Sequence, residues 1–347
     1  MMVRQATPIS GELCDPRSWA RHQFGLSLEM RRRLTQRAFW VTGGGTGFGR
    51  AVAVSLALVG ARVVLTGRRR ARLEETVQEA AQIADVHNSF SLLPLDLRSA
   101  DVVEAGTDEL RAVGISGLVH CAAVPQPRDS AAPLLLTDSL RDLLAANLEA
   151  AWRAGRAAIA ASAPAGVVRC VFFSSEAAWH FTSGFGPYNV SKAALNSLAG
   201  SLAEETAALH PTCDVQINVL NPGEAGSEMN RESERSPYAA VPMTLALLAQ
   251  APGGPNGRFF HADGRHLEFA SARPWPGALL PVPDDEPPRL LTSINGHNIV
   301  SYRGVFFGVP QSLGDLRLET GIDLPSSVIR GPSLADVERQ LTSGVAI

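Results

Sequence analysis

The feature that most constrains this 347-residue chain is a repeating alternation. Short runs rich in β-branched and aromatic residues give way to helix-length segments. The runs are AFWVT (38–42), RVVLT (62–66), SLLPL (91–95), GLVHC (117–121), VRCVFFS (168–174) and VQINVLN (215–221). Between them lie segments such as RAVAVSLALVG, TDSLRDLLAANLEAAWRAG and SKAALNSLAGSLAEETAALH, apolar at helical spacing. Apolar strands separated by helices pair in parallel and need helices on both faces of their sheet. The predicted fold class is therefore α/β, a doubly wound parallel sheet occupying residues 37–272.

The rest of the chain is organised around that domain. Residues 1–36 are polar and irregular apart from SLEMRRRLTQR, where Ser27 is placed to cap a short helix. A proline-rich stretch, 273–289, reads as a linker. Beyond it, 290–347 holds LLTSI, NIVSY and VFFGVP separated by turn residues, then PSLADVERQL, which reads as a small β-rich appendix ending in a helix. The near-neutral balance, net charge -3, argues against a nucleic-acid partner. No apolar stretch approaches the roughly 20 residues of a membrane span, and no secretory signal opens the sequence. Four cysteines without C-x-x-C spacing suit a reducing, cytoplasmic setting.

After the first run the chain reads Thr42, Gly43, Gly44, Gly45, Thr46, Gly47, Phe48, Gly49. Glycines there permit a sharp turn and a close approach to a pyrophosphate held at the positive end of the following helix. The second run ends Thr66, Gly67, Arg68. Gly67 stands where an acid for a ribose 2′-hydroxyl is expected, and Arg68 offers a cation to a 2′-phosphate, so the residues point to NADP(H) over NAD(H). Of the 31 basic residues thirty are arginine; the one lysine, Lys192, lies four residues after Tyr188, on the same helix face. A fixed ammonium beside a phenol lowers its pKa and readies it for acid/base work.

These motifs together resemble the classical short-chain dehydrogenase/reductase family over about two thirds of the chain. The matching pieces are TGGGTGFG, Asp96-Leu97, Asn147 in AANLEAAW, Ser174-Ser175, YNVSK, and Asn221-Pro222-Gly223 followed by Ser227-Glu228-Met229. The resemblance implies a Rossmann-type fold and an NADP(H)-dependent oxidoreductase interconverting a carbonyl and a secondary alcohol. It implies Tyr188 as acid/base, Ser175 as stabiliser of the substrate oxygen, and Lys192 as partner of Tyr188 and the ribose. Asn147 would anchor a water leading to Lys192. Asp96 and Leu97 would flank the adenine, and Ala122, Pro222 and Gly223 would border the cofactor. It also implies a homodimer or homotetramer.

Departures and alternatives accompany that reading. His120-Cys121-Ala122-Ala123 replaces the family's NNAG, which is read as local repacking with Cys121 a buried thiol. Trp179, His180, Phe181 and Phe185 form either a substrate wall or simple packing, and 229–240 reads as a polar lid. His261 and His266 are read as structural, with no metal site. The alternatives are a nucleotide-sugar epimerase or dehydratase, and a non-catalytic NADP-binding scaffold or sensor. The appendix is weakly similar to modules beside bacterial surface-polysaccharide enzymes, which hints at a sugar-derived substrate.

Overall fold

The structure, a computed structural model, describes residues 10–35, 37–127, 130–136, 138–180, 183–267, 288–302, 304–313 and 324–343. The chain divides near residue 271 into two compact units.

The first unit is built on seven strands: β1 (Ala38–Thr42), β2 (Arg62–Thr66), β3 (Phe90–Leu92), β4 (Ile115–His120), β5 (Val167–Phe173), β6 (Asp214–Asn221) and β7 (Phe259–His261). Their order is β3-β2-β1-β4-β5-β6-β7, with every pair parallel. This is the Rossmann-type doubly wound fold expected from the alternation. β1 is buried throughout because both of its faces carry core. Phe39 and Val41 join one core with Leu56 and Leu245, whereas Ala38 and Trp40 join the other with Leu118 and Phe172. A period of two therefore yields an unbroken apolar run when both faces are covered.

Two elements differ from the sequence reading. The third strand is expected over 91–95 but pairs over Phe90–Leu92, with the Leu93 amide still donating to the Leu65 carbonyl at 3.0 Å. The long segment around Asn147 was expected as one helix. It is Ser139–Leu144 and Ala150–Ser162, joined by a π-helical turn, Ala145–Glu149.

The described part of the N-terminal segment is more ordered than its polar composition suggests. Ser27 accepts from the Met30 amide and caps helix Leu28–Leu34, as its sequence position predicts. Phe24 and Leu34 enter the core beside the helix Gly47–Leu58. Arg33 donates to the Ala249 carbonyl at 3.1 Å, and Thr35 to that of Val59 at 3.2 Å.

The second unit is an antiparallel sheet, β8 (Arg289–Ile294), β9 (His297–Tyr302), β10 (Val305–Pro310) and β11 (Ile329–Gly331), in the order β11-β10-β9-β8. A helix, Leu334–Thr342, capped by Ser333, buries Val337. The proline-rich linker lies outside the described residues as far as 287. No described helix is long and apolar enough to cross a membrane.

Because Leu34 is fully buried, Leu34→Ala is expected to destabilise the first unit by about 2–5 kcal/mol in urea denaturation. An unchanged midpoint would show that the N-terminal segment adds nothing to the fold.

Candidate active site

Parallel strands all end on the same side of the sheet, and their carboxyl ends open onto a cavity of ≈ 360 Å³. Its wall is assembled from segments far apart in sequence. The turn after β1 contributes Gly43, Gly45, Thr46, Gly47, Phe48 and Gly49, and the end of β2 contributes Arg68. Asp96, Leu97 and Ala122 follow from the next two strand ends. Ser175, Tyr188, Lys192, Pro222 and Gly223 complete the lining. Two of the residues singled out from sequence, Thr42 and Asn147, stand behind this wall instead of in it.

The geometry of the turn fits a dinucleotide. Gly43 adopts φ +66°, and a Cβ there would lie 2.8 Å from the Ala122 amide nitrogen, so only glycine lets the turn lie against the end of β4. A Cβ on Gly49 would lie 2.3 Å from the Gly43 carbonyl oxygen. The helix Gly47–Leu58 that follows has no side-chain cap at Thr46, which leaves its first amides to face an anion. After β2, Arg68 makes no hydrogen bond or ion pair among the described residues, and Asp96 is engaged by Arg98 at 2.6 Å. That pairing holds the Asp96 carboxyl down to about 2.

The lining also carries the polar side chains. Tyr188 and Lys192 share a face of helix Gly186–Leu209, with the ammonium 5.7 Å from the phenol ring centre. Lys192 is buried and donates to the Phe173 carbonyl at 2.9 Å; loss of water lowers its pKa to about 8. The sequence reading expected the ammonium to lower the phenol. Burial wins, and Tyr188 is pushed up to about 12, partly offset by the Ser175 side chain. Of the two serines ending β5, Ser174 gives its hydroxyl to Asn196 Oδ1 at 2.5 Å, while Ser175 lies toward Tyr188.

Asn147 occupies the π-helical turn and is fully used. Its Oδ1 accepts from the Val124 amide at 2.8 Å, and its Nδ2 donates to the Val124 carbonyl at 3.1 Å and to Ser191 Oγ at 3.3 Å. Its carboxamide thus pins the strand-end segment that borders the cavity. Such turns recur at functional sites because they redirect one side chain without ending the helix.

Other sequence readings resolve into packing. Thr42 Oγ1 pairs with His120 Nδ1 at 3.0 Å, whereas His120 Nε2 is buried without a partner. Burial, followed by the nearby Lys192, lowers His120 to about 3. Burial also raises the Cys121 thiol well above its ordinary value, so it stays protonated. Trp179 packs edge-on against Phe259, and neither it nor Phe185 lines the cavity; Phe181 lies outside the described residues. His261 faces Asp263 at 2.9 Å and His266 meets Phe260 edge-on, with no group of three metal-ligating side chains among the described residues. Sequence reasoning did not single out Arg69 and Arg72, which also line the cavity. The arginine run after β2 was their only signal.

A Rossmann-type sheet whose cavity is lined by a glycine turn and by a Ser, Tyr and Lys set defines a dinucleotide-dependent oxidoreductase. The family model described as short chain dehydrogenase matches residues 37–237, and the chain belongs to the short-chain dehydrogenase/reductase family. It is 32% identical to D-erythrulose reductase of Gallus gallus, over 69% of this chain and 86% of that protein. It is 28% identical to NADPH-dependent aldehyde reductase 2, chloroplastic, of Arabidopsis thaliana, over 56% and 75%. A solved short-chain type dehydrogenase/reductase from Mycobacterium ulcerans superposes with a TM-score of 0.59 at 26% identity, covering 65% of this chain and 88% of that one.

A neutral, buried His120 makes acid stability the test of its placement. Its folded pKa lies below its unfolded value, so it does not weaken the fold above pH 6.5 and increasingly does as pH falls toward 3. Thermal melts of wild type and His120→Asn are expected to diverge in slope across that window, with the variant flatter. Parallel slopes would show that the imidazole does not stay neutral in the fold.

Proposed function

We propose that this chain is an NADP(H)-dependent reductase that converts a carbonyl to a secondary alcohol, with Tyr188 as the proton donor. The observation that carries the reading is the meeting of Ser175, Tyr188 and Lys192 in the cavity that the glycine turn also lines. Ser175 donates a hydrogen bond to the substrate oxygen and holds it beside Tyr188. Tyr188, held protonated by burial, delivers its proton as that oxygen gains negative charge. Lys192 places a positive charge behind the phenol and stabilises the phenolate that remains. Asn147 keeps the Val124 segment in place and so maintains the shape of the wall.

The cofactor would lie against the glycine turn and reach the far end of the cavity, with Asp96 and Leu97 beside the adenine and Ala122, Pro222 and Gly223 along its length. Bound there, a reduced nicotinamide supplies the hydride. Arg68 makes no hydrogen bond or ion pair among the described residues, its charge reaching Asp96 only at longer range, and so is available to a 2′-phosphate, which favours NADP(H). A relative named as NADPH-dependent supports that preference. Relatives named D-erythrulose reductase and galactitol 2-dehydrogenase (L-tagatose-forming), the latter 30% identical and from Cereibacter sphaeroides, support a small polyhydroxylated, sugar-derived substrate.

Tyr188→Phe is expected to lower turnover of such a carbonyl by about 10²–10⁴-fold, the range of a lost acid/base group, while NADPH fluorescence reports unchanged binding. Near-normal turnover would remove Tyr188 from the chemistry. Arg68→Asp is expected to shift the ratio of kcat/KM for NADPH over NADH toward NADH by about tenfold or more, as a cation contact becomes a repulsion. An unmoved ratio would place the 2′-phosphate elsewhere.

A further inference from the structure

The segment after β6 reaches back to the arginines at the cofactor end of the cavity. Glu228 accepts from Arg69 Nη2 at 2.6 Å and Nη1 at 3.4 Å, and faces Arg72 Nη2 at 3.2 Å. Both arginines line the cavity, and both lie on the turn and first helical residues after β2, next to Arg68. Of the four arginines in the cavity wall, three are thereby engaged by carboxylates: Arg69 and Arg72 by Glu228, and Arg98 by Asp96.

The Glu228 contact is one end of a longer ladder. Arg72 also holds Glu75 at 2.8 Å, and Glu75 meets Arg50 at 2.9 Å. Arg50 grips the Gly45 carbonyl at 3.0 Å and faces Glu79 at 3.7 Å, and Glu79 accepts from the Tyr238 hydroxyl at 2.5 Å. Tyr238 sits in the turn Pro237–Ala240, at the base of the same segment that carries Glu228. The inner links are fixed by a helix and the glycine turn. The outer link is exposed, its carboxylate shared between Arg69 and Arg72.

We propose that Glu228 is a specificity-determining residue for the cofactor, an internal competitor that occupies Arg69 and Arg72 and yields Arg69 when a ribose 2′-phosphate arrives. The inference rests on the NADP(H) reading above. A phosphate carries about -1.5 to -2 charge and three strong acceptors against the single charge of a carboxylate, so it displaces Glu228 from an exposed guanidinium. A ribose hydroxyl has no such charge and leaves the pair intact. Glu228 therefore weakens binding of the phosphorylated cofactor alone, and favours its release by recapturing Arg69.

The test is a fluorescence titration of the full chain with NADPH and with NADH. Wild type is compared with Glu228→Gln and with Glu234→Gln, an exposed carboxylate on the same segment that changes net charge equally. Glu228→Gln is expected to tighten NADPH about fivefold, the scale of an exposed ion pair, with NADH unchanged and Glu234→Gln like wild type. NADPH binding that moves by less than twofold, NADH tightening by the same factor, or an equal gain in Glu234→Gln would each overturn the proposal. A wild type that binds NADH at least as tightly as NADPH overturns the NADP(H) reading itself and this inference with it. Preference for NADPH with an unmoved Glu228→Gln overturns only the inference.

Discussion

Parallel pairing is the constraint on which the rest of the molecule depends. A parallel strand cannot return by a hairpin, so each connection crosses back over a face of the sheet, and every strand leaves the sheet at the same edge. At that edge the order reverses between β1 and β4, one neighbour's connection going each way, and a crevice is left. The glycine turn, the β2 arginines, Ala122, Ser175 and Pro222 all follow strand ends. They meet because the topology leaves them nowhere else to go.

Within that crevice, burial sets the chemistry more than nearest charges do. Lys192 and Tyr188 both lose water, which depresses the amine and raises the phenol. Spacing along a helix could reveal that the two side chains are neighbours, but how much water each retains depends on segments far away in sequence. His120 illustrates the same point: its neutral form is imposed by surroundings drawn from β1, β5 and the helix of Lys192.

Much of the fold was legible because its signals are local. Four of the six predicted strands agree with the structure to within a residue at each end where apolar runs met turn residues, and Ser27 was readable as a cap from its position before LEMRRRL. The one lysine in a chain of thirty arginines led directly to the candidate site. The misses are cooperative. The π-helical turn at Asn147 carries a side chain that bonds Val124, 23 residues away, and no sequence period encodes that contact. The order of the N-terminal segment depends on Phe24 and Leu34 finding a core made by other elements. Arg69 and Arg72 meet Glu228, which lies more than 150 residues later in the chain.

By itself the sequence determined the class of fold, the placement of the glycine turn, and the pairing of Tyr188 with Lys192, because strand alternation, positive-φ turns and i, i+4 spacing act over a few residues. Only the tertiary structure decided how Asn147 is spent and which cavity arginines are already held by carboxylates. Those outcomes turn on distances between segments joined by long loops, where Coulomb attraction, burial and hydrogen bonding act through space and leave no trace in local spacing.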